Sequence, residues 1–165
     1  MDEKQAFPQR KVLRLQNFDY STCGAYFITI CTKNRKTLFA PVGADSISAR
    51  MVERTFLKTI EQYPGVECPI YVVMPNHFHA IIVILRADME SAPTLSQIIQ
   101  SFKRYSTIEY TQMVKDGMLP SFDKQIWQRS FYDHVIRNQD DYEEIYKYIY
   151  ENPMKWQFDS LYVED

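Results

Sequence analysis

The sequence is poor in the features that mark several protein classes. Only three of its 165 residues are cysteines, Cys23, Cys31 and Cys68, and they form no CxxC pair. An odd number without paired spacing argues against a disulfide framework or a thiolate zinc site, so we expect the cysteines to pack in the interior. The longest uninterrupted apolar run is 80–85, far below the roughly 20 residues of a membrane-spanning helix. We therefore expect no membrane association.

Linkers, repeats and a leader pattern are also absent from the sequence. No Gly/Ser-rich or other biased tract divides the chain, so we expect residues 1–165 to form a single domain. The first residues mix both charge signs and contain no apolar stretch, unlike a secretory signal peptide. The expected location is the cytoplasm.

Charge is nearly balanced overall but unevenly distributed. The 19 basic and 21 acidic side chains give a net charge of −2, which excludes a uniformly basic nucleic-acid-binding protein. Residues 1–36 carry seven basic and three acidic side chains, whereas residues 138–165 carry two basic and eight acidic ones. This gradient leaves room for a local basic surface, although such charges also occur on ordinary solvated surfaces.

Hydrophobic periodicity predicts alternating strands and helices. The predicted strands are 26–32, 66–74, 77–85 and 131–136, and the predicted helices are 46–63, 94–113 and 138–152. This order is typical of the ferredoxin-like (split βαβ) fold, an α+β class in which an antiparallel sheet carries helices on one face. The final helix is an addition to that pattern. We expect the first and third strands at the centre of the sheet.

The third predicted strand begins with His77, Phe78 and His79. Because side chains alternate along a strand, the two imidazoles share one face and Phe78 lies on the other. Neutral imidazoles are common ligands of divalent cations, so the pair predicts a metal site with a third ligand from elsewhere in the chain. The HxH pattern is weak by itself, because structural or surface histidines would give the same sequence.

In the last predicted helix, Tyr148 and Asn152 lie four residues apart and are neighbours at one margin of its apolar stripe. Beside a metal held by two histidines, a phenol and a carboxamide form a workable nucleophile and third ligand. The cation can polarise a phosphate oxygen while the phenol attacks phosphorus. Packing is the more common role of a tyrosine at helical spacing.

Four segments match one family pattern in the same order along the chain. They are 73–83 (VMPNHFHAIIV), 101–103 (SFK), 127–137 (WQRSFYDHVIR) and 148–156 (YIYENPMKW). Together they resemble the REP-associated tyrosine transposases, relatives of the single-tyrosine HUH transposases, whose name denotes histidine, bulky hydrophobe, histidine. The resemblance starts near Arg14-Leu15 and Tyr20-Ser21 and covers nearly the whole chain. The fold of that family is the ferredoxin-like sheet predicted above.

The resemblance implies a metal-dependent endonuclease and strand transferase acting on single-stranded DNA. His77, His79 and Asn152 would bind Mg²⁺ or Mn²⁺, and Tyr148 would attack the scissile phosphate, forming a 5′-phosphotyrosine and releasing a 3′-hydroxyl. Rejoining is the reverse attack, so no nucleotide cofactor is needed. Since an ordinary phenol has a pKa of about 10, Tyr148 needs a proton acceptor or stabilisation near the cation.

The implied partner is a short DNA hairpin of the kind found in repetitive extragenic palindromes. The candidate DNA-binding residues are Lys33, Arg35, Lys36, Lys103, Arg104, Trp127, Arg129 and Arg137, with Phe131 as a further stacking candidate. The acidic last segment is expected to face away from DNA except at the catalytic margin. The resemblance also favours a monomer acting in cis over a swapped homodimer, and nucleoid association when the protein is bound to DNA.

Two other functions fit the same residues. One is a hairpin-binding protein retained by its host after its chemistry has decayed. The other is a metallophosphodiesterase that uses the two histidines with a water nucleophile. The sequence leaves both open.

Overall fold

The computed structural model describes residues 23–39, 46–85 and 92–164, and the predicted α+β fold is confirmed. Arg14-Leu15 and Tyr20-Ser21 lie outside the described residues. The strands are β1 (Gly24–Cys31), β2 (Val66–Met74), β3 (His77–Ile84) and β4 (Tyr132–Ile136), and the α-helices are α1 (Ile47–Glu61), α2 (Leu95–Lys115) and α3 (Gln139–Glu151). Short 3-10 turns follow β1 at Lys33–Arg35 and α3 at Asn152–Phe158. Within these residues, no helix combines the length and apolar character that crossing a membrane requires.

The four strands form an antiparallel sheet in the order β2-β3-β1-β4. β1 and β3 are therefore central, as predicted. The register pairs Cys31 with His77 and Thr29 with His79, and it pairs Thr29 with Tyr132 on the other side. The histidines thus lie at the edge of the sheet where β1 ends and β3 begins. β2 and β4 flank these two central strands.

Side-chain caps set the start of each α-helix. In each cap, a side-chain oxygen accepts a hydrogen bond from a backbone N–H three residues later. The side chain of Ser46 accepts from Ala49, that of Thr94 from Gln97, and that of Asn138 from Asp141. Such caps satisfy backbone N–H groups that have no partner in the first turn. After α1 the chain turns at Gly65, whose φ of +82° lies in the left-handed region that glycine tolerates best.

The two faces of the sheet are covered by different elements. Phe78 of β3 packs against Phe56 of α1 and Phe102 of α2, with ring centroids 4.6 and 5.2 Å apart. These three rings are fully buried in the main core. Because side chains alternate, burying Phe78 on that face places His77 and His79 on the opposite one, next to α3, which contacts β2 and β3.

The cysteines are less buried than expected. Cys23 precedes β1 and is exposed, so the expectation of an interior position was wrong for this residue, while Cys31 and Cys68 are partly buried. Burial raises the pKa of the Cys68 thiol to about 12. Cys68 is therefore protonated and poorly reactive at neutral pH.

Candidate active site

The two imidazoles are held in fixed orientations at the start of β3. Both are buried, and their ring centroids lie 4.5 Å apart. Nδ1 of His77 lies 2.7 Å from Oδ1 of Asn76, and Nδ1 of His79 lies 2.8 Å from Oγ1 of Thr29. Since each Nδ1 already has a hydrogen-bond partner, the Nε2 atoms are the ones that can bind a ligand. Such support of one ring nitrogen is typical of metal-binding histidines.

Burial keeps both imidazoles uncharged at neutral pH. It lowers the pKa of His77 to about 4. It lowers the pKa of His79 to about 3, where the adjacent His77 also disfavours a positive charge. The neutral ring is the form that offers a lone pair to a cation.

A third ligand-type side chain, Asp159, comes from the C-terminal segment. One ligand atom from each of His77, His79 and Asp159 lies within 4.8 Å of the other two. The Asp159 side chain is 1% exposed, and its carboxylate accepts hydrogen bonds from the Leu161 backbone N–H at 2.7 Å and the Asn152 amide at 2.8 Å. Burial opposes ionisation, but these hydrogen bonds outweigh it and hold the pKa of Asp159 below its ordinary value.

Sequence reasoning missed Asp159. It lies beyond the last predicted helix, in an acidic segment that was expected to face away from DNA except at the catalytic margin. The one available signal was its position seven residues after Asn152, close enough in the chain to return to the same site.

Tyr148 lies directly against the histidine pair. Its phenolic oxygen is 3.4 Å from Nε2 of His79 and 3.4 Å from Oδ2 of Asp159. The ring packs edge-on against Phe27 at 6.0 Å and His79 at 5.3 Å, yet the residue remains 42% exposed. Burial, followed by the negative charge of Asp159, raises the pKa of Tyr148 to about 12, so the phenol is protonated at neutral pH.

Asn152 lies at the end of α3 and is 3% exposed. Because the next residue is Pro153, a helical backbone is disfavoured at this position, yet Asn152 has φ −54° and ψ −43°. The helical backbone keeps its side chain on the Tyr148 side of α3, where the amide Nδ2 donates to Asp159.

Two buried acceptor atoms at this site lack a hydrogen-bond donor. They are Nε2 of His77 and Oδ1 of Asn152, neither of which has a partner among the residues that the structure describes. Buried polar atoms are nearly always paired, so two unpaired lone pairs beside a buried carboxylate are unusual. A divalent cation fits this donor set of imidazole nitrogen, carboxylate oxygen and amide oxygen.

The site opens into a cleft of about 430 Å³. Its lining includes the rings of His79, Tyr148, Phe131 and Tyr132, and Arg35 contributes a cation. The cleft therefore combines aromatic rings, a positive charge and the exposed side of the phenol.

Lys33, Arg35 and Lys36 lie together after β1, and all three are exposed. Backbone hydrogen bonds fix this turn, because Thr32 donates to the Asn76 carbonyl at 2.9 Å and Lys33 donates to the Ile126 carbonyl at 2.7 Å. Of these three predicted DNA-binding cations, Arg35 lines the cleft, and Lys33 and Lys36 lie beside it in the same turn of the chain.

Lys103 and Trp127 have internal partners. Nζ of Lys103 donates to the backbone carbonyls of Gln128, Arg129 and Ser130 at 2.9, 3.4 and 3.2 Å, and it lies 5.6 Å from the centroid of the Phe131 ring. Lys103 therefore holds the loop that forms one wall of the cleft.

Trp127 is 5% exposed, and its indole N–H donates to Ser106 at 2.9 Å. Its rings pack against Phe39 and Phe102. The stacking role of Trp127 on DNA stays a prediction that this packing does not favour, whereas Phe131, although buried, lines the cleft.

The other predicted DNA-binding residues lie further from the histidines. Arg104 and Arg129 are exposed and line a separate groove beside α2. Arg137 follows β4, whose residue Ile136 pairs with Ala25 near the start of β1. This is the opposite end of the sheet from the site, about 13 Å along the strand at roughly 3.3 Å per residue.

The sequence and the fold are those of a family of transposases. The family model described as IS200-like transposase matches residues 21–152, and the chain belongs to this family. The predicted resemblance to REP-associated tyrosine transposases is confirmed by similar proteins.

An uncharacterized protein of Haemophilus influenzae is 34% identical over 94% of each chain. The REP-associated tyrosine transposase of Escherichia coli is 26% identical over 82% of this chain and 70% of that protein. The fold is similar to a solved REP-associated tyrosine transposase bound to a REP hairpin. That match has a TM-score of 0.64 and 24% identity, and it covers 88% of this chain and 76% of the other.

Proposed function

We propose that this chain is a metal-dependent enzyme that cleaves and rejoins single-stranded DNA beside a REP-like hairpin, with Tyr148 as the nucleophile. One observation carries the proposal. The phenolic oxygen of Tyr148 lies 3.4 Å from Nε2 of His79, inside a cluster of two neutral imidazoles and a carboxylate. The relatives with REP-associated names support the hairpin as substrate.

The proposed cation ligands are His77, His79 and Asn152, to which we add Asp159. The unpaired acceptors on His77 and Asn152 support this set, and the carboxylate favours Mg²⁺ or Mn²⁺. When bound, such a cation supplies positive charge that polarises the phosphate oxygens and lowers the cost of forming a phenolate. Within the chain, Asn152 also holds Asp159 through its amide N–H.

In the proposed reaction, the Tyr148 oxygen attacks the scissile phosphorus. A tyrosine O–P bond forms, the bond from phosphorus to the 3′-oxygen breaks, and that oxygen leaves as a hydroxyl after taking up a proton from water. The phenol must lose its own proton, because its pKa of about 12 keeps it protonated beforehand. Oδ2 of Asp159 accepts a hydrogen bond from the phenolic O–H at 3.4 Å and so orients it, and the proton passes to water.

The exposed cations around the cleft are proposed to bind the strand. Arg35 lines the cleft itself, and Lys33 and Lys36 are exposed residues of the same turn. Contacts from such cations to phosphates supply affinity without reading bases. The phosphotyrosine retains the energy of the broken linkage. Rejoining is therefore the reverse attack, and it needs no nucleotide cofactor.

The proposal is tested by incubating the protein with an end-labelled REP-like hairpin and Mn²⁺, and then resolving the products under denaturing conditions. We expect a covalent protein–DNA adduct that is lost in Tyr148→Phe, while hairpin binding remains. Tyr150→Phe is the matched control, because Tyr150 is 69% exposed and lies two residues after Tyr148 on the same helix, hence on a different side of it.

The other outcomes identify the competing functions. Binding without an adduct in the wild-type protein would indicate a hairpin-binding protein without chemistry. Cleavage that survives Tyr148→Phe would indicate a water nucleophile. Either result would contradict the assignment of Tyr148.

A further inference from the structure

Arg35 ends the short turn that follows β1, and it is the only cationic side chain among the described residues that line the cleft. It shares the cleft with His79 and Tyr148. Within the described part of the chain, the Arg35 guanidinium has no ion-pair or hydrogen-bond partner. The cleft of the proposed nucleophile therefore contains one exposed positive charge that no other side chain neutralises.

The backbone of Arg35 is fixed relative to the histidines. The amide Nδ2 of Asn76 donates to the Arg35 carbonyl at 3.3 Å, and Oδ1 of the same side chain lies 2.7 Å from Nδ1 of His77. On its other side, the Arg35 N–H donates to the Thr32 carbonyl at 3.1 Å. Burial lowers the pKa of His77, and the positive charge of Arg35 adds to this effect, so the guanidinium lies near that imidazole.

The backbone conformation of this turn is unusual. Asn34 and Arg35 have φ values of +56° and +55°, two consecutive residues in the left-handed region. Asparagine tolerates this region, but a long side chain such as arginine is rarely found there, and glycine would adopt it without strain. Strained positions cluster at functional sites, where the surrounding structure holds them. The presence of arginine here thus indicates a function for the side chain that glycine lacks.

The chemistry proposed for the cleft needs such a group. As the phenolic oxygen attacks phosphorus, negative charge grows on the non-bridging oxygens and on the departing 3′-oxygen. A guanidinium is a planar fork of N–H donors that matches the oxygens of a phosphate, and it stays charged in proteins, so it neither takes up nor releases a proton. Donors aimed at charge that develops during the reaction raise the rate more than they strengthen binding.

We infer that Arg35 is a catalytic residue of strand cleavage. Its guanidinium binds the non-bridging oxygens of the scissile phosphate and stabilises the charge that develops as the Tyr148 O–P bond forms and the bond to the 3′-oxygen breaks. The inference rests on the proposed function, because it takes a phosphodiester as the substrate of this cleft. Lys33 and Lys36, which do not line the cleft, are left with a contribution to affinity alone.

The test measures the rate of a single turnover on a labelled REP-like hairpin with a single-stranded flank, in Mn²⁺ and with protein in saturating excess. Both the covalent adduct and the released 3′ fragment are quantified. Equilibrium binding of the same DNA is measured separately in the Tyr148→Phe background, where cleavage does not interfere. The control is Lys58→Ala, which removes one exposed positive charge from α1, the helix that covers the other face of the sheet.

We expect Arg35→Ala to lower the saturated rate by about 10²- to 10³-fold, as for the loss of one donor to a developing oxyanion. Its Kd for the hairpin should rise by about tenfold or less, as for one lost phosphate contact. Arg35→Lys keeps the charge without the fork and should retain part of the rate. Lys58→Ala should match the wild type in both measurements.

Arg35→Gly separates the side chain from the backbone. Glycine accepts a φ of +55°, so this variant should have an unfolding temperature at least as high as that of Arg35→Ala. It lacks the same guanidinium, and we expect the same loss of rate. A rate loss in Arg35→Ala that Arg35→Gly does not share would overturn the inference, because the loss would then come from the backbone.

The remaining outcomes distinguish this inference from the proposed function. If the wild type forms the adduct and Arg35→Ala stays within about threefold of Lys58→Ala in saturated rate, the role of Arg35 alone fails, and any change in Kd means that it only binds the strand. If the wild type cleaves without an adduct, the assignment of Tyr148 fails, and the role of Arg35 is read from the cleavage rate. A wild type that does not cleave would overturn both.

Discussion

At the scale of single residues, Asn76 connects three parts of the site. Its amide Nδ2 donates to the carbonyl of Leu161 at 2.8 Å and to that of Arg35 at 3.3 Å. Since these carbonyls require the nitrogen on that side, Oδ1 faces His77 and accepts from its Nδ1 at 2.7 Å. Nδ1 of His77 therefore carries the proton, and Nε2 presents its lone pair to the cluster.

The first prediction concerns Asn76→Ala. Removing the amide releases His77 from its orientation and detaches the backbone of Leu161, which itself donates to Asp159. We expect adduct formation to slow by about 10- to 100-fold, as when other metal-binding histidines lose the hydrogen-bond partner that orients them. The weakened site should also show in Mn²⁺ titration followed by electron paramagnetic resonance, which reports binding without turnover.

Asn76→Asp separates the two roles of this side chain. A carboxylate still accepts from His77 Nδ1 but cannot donate to Leu161, so a partial loss is expected. Asn76→Ala with wild-type Mn²⁺ affinity and adduct rate would contradict the positioning role. A lower unfolding temperature alone, with both readouts unchanged, would also contradict it.

At the scale of secondary structure, α3 decides where the nucleophile lies. Ile149 is the buried residue of this helix and anchors it against the sheet. Tyr148 precedes it and is thereby placed at the margin over His79, while Asn152 lies one turn later on the same side. The cap at Asn138 sets where this helix starts.

The second prediction therefore concerns Asn138→Ala. The Asn138 side chain accepts from the Asp141 backbone N–H at 2.9 Å, and losing this cap should lower the free energy of unfolding by about 1 kcal/mol. Urea denaturation followed by circular dichroism measures the change. Asn138→Asp retains an acceptor at the cap and is expected to stay within about 0.5 kcal/mol of the wild type. Equal losses in both variants would argue against the cap.

At the scale of the whole molecule, one chain supplies every proposed catalytic group. His77 and His79 come from β3, Asp159 from the C-terminal segment, and Tyr148 from α3, and all of them meet without a second copy. This arrangement favours attack by the tyrosine in cis, and the monomeric state stays a prediction.

The third prediction follows from this arrangement. A mixture of His79→Ala and Tyr148→Phe proteins should form no adduct. One variant lacks the metal-binding imidazole and the other lacks the nucleophile, and neither chain can supply the missing group to the site of the other. The measurement is the same denaturing gel used for the wild type, with each variant alone as the control. Recovery of adduct in the mixture would mean that tyrosines act across subunits.

Much of this molecule is predictable from local patterns. The alternation of β-branched and aromatic residues predicts the strands, and their order predicts a sheet with β1 and β3 at its centre. The period of two in His77-Phe78-His79 places the imidazoles on one face, and the four-residue spacing of Tyr148 and Asn152 makes them neighbours. Such patterns depend only on backbone geometry, which is why they can be read without coordinates.

The chemical environment of these residues depends on packing between distant segments. Asp159 reaches the cluster because Asn152, Asn76 and the Leu161 backbone tie the C-terminal segment to the start of β3, and no periodic pattern encodes that contact. Burial of Trp127 and the bonding of Lys103 to loop carbonyls likewise depend on how α2 meets that loop. The residue types and their spacing along the chain are local properties. The tertiary structure decides which lone pairs, charges and rings face one cation or one DNA strand, because these groups come from segments that lie far apart in the chain.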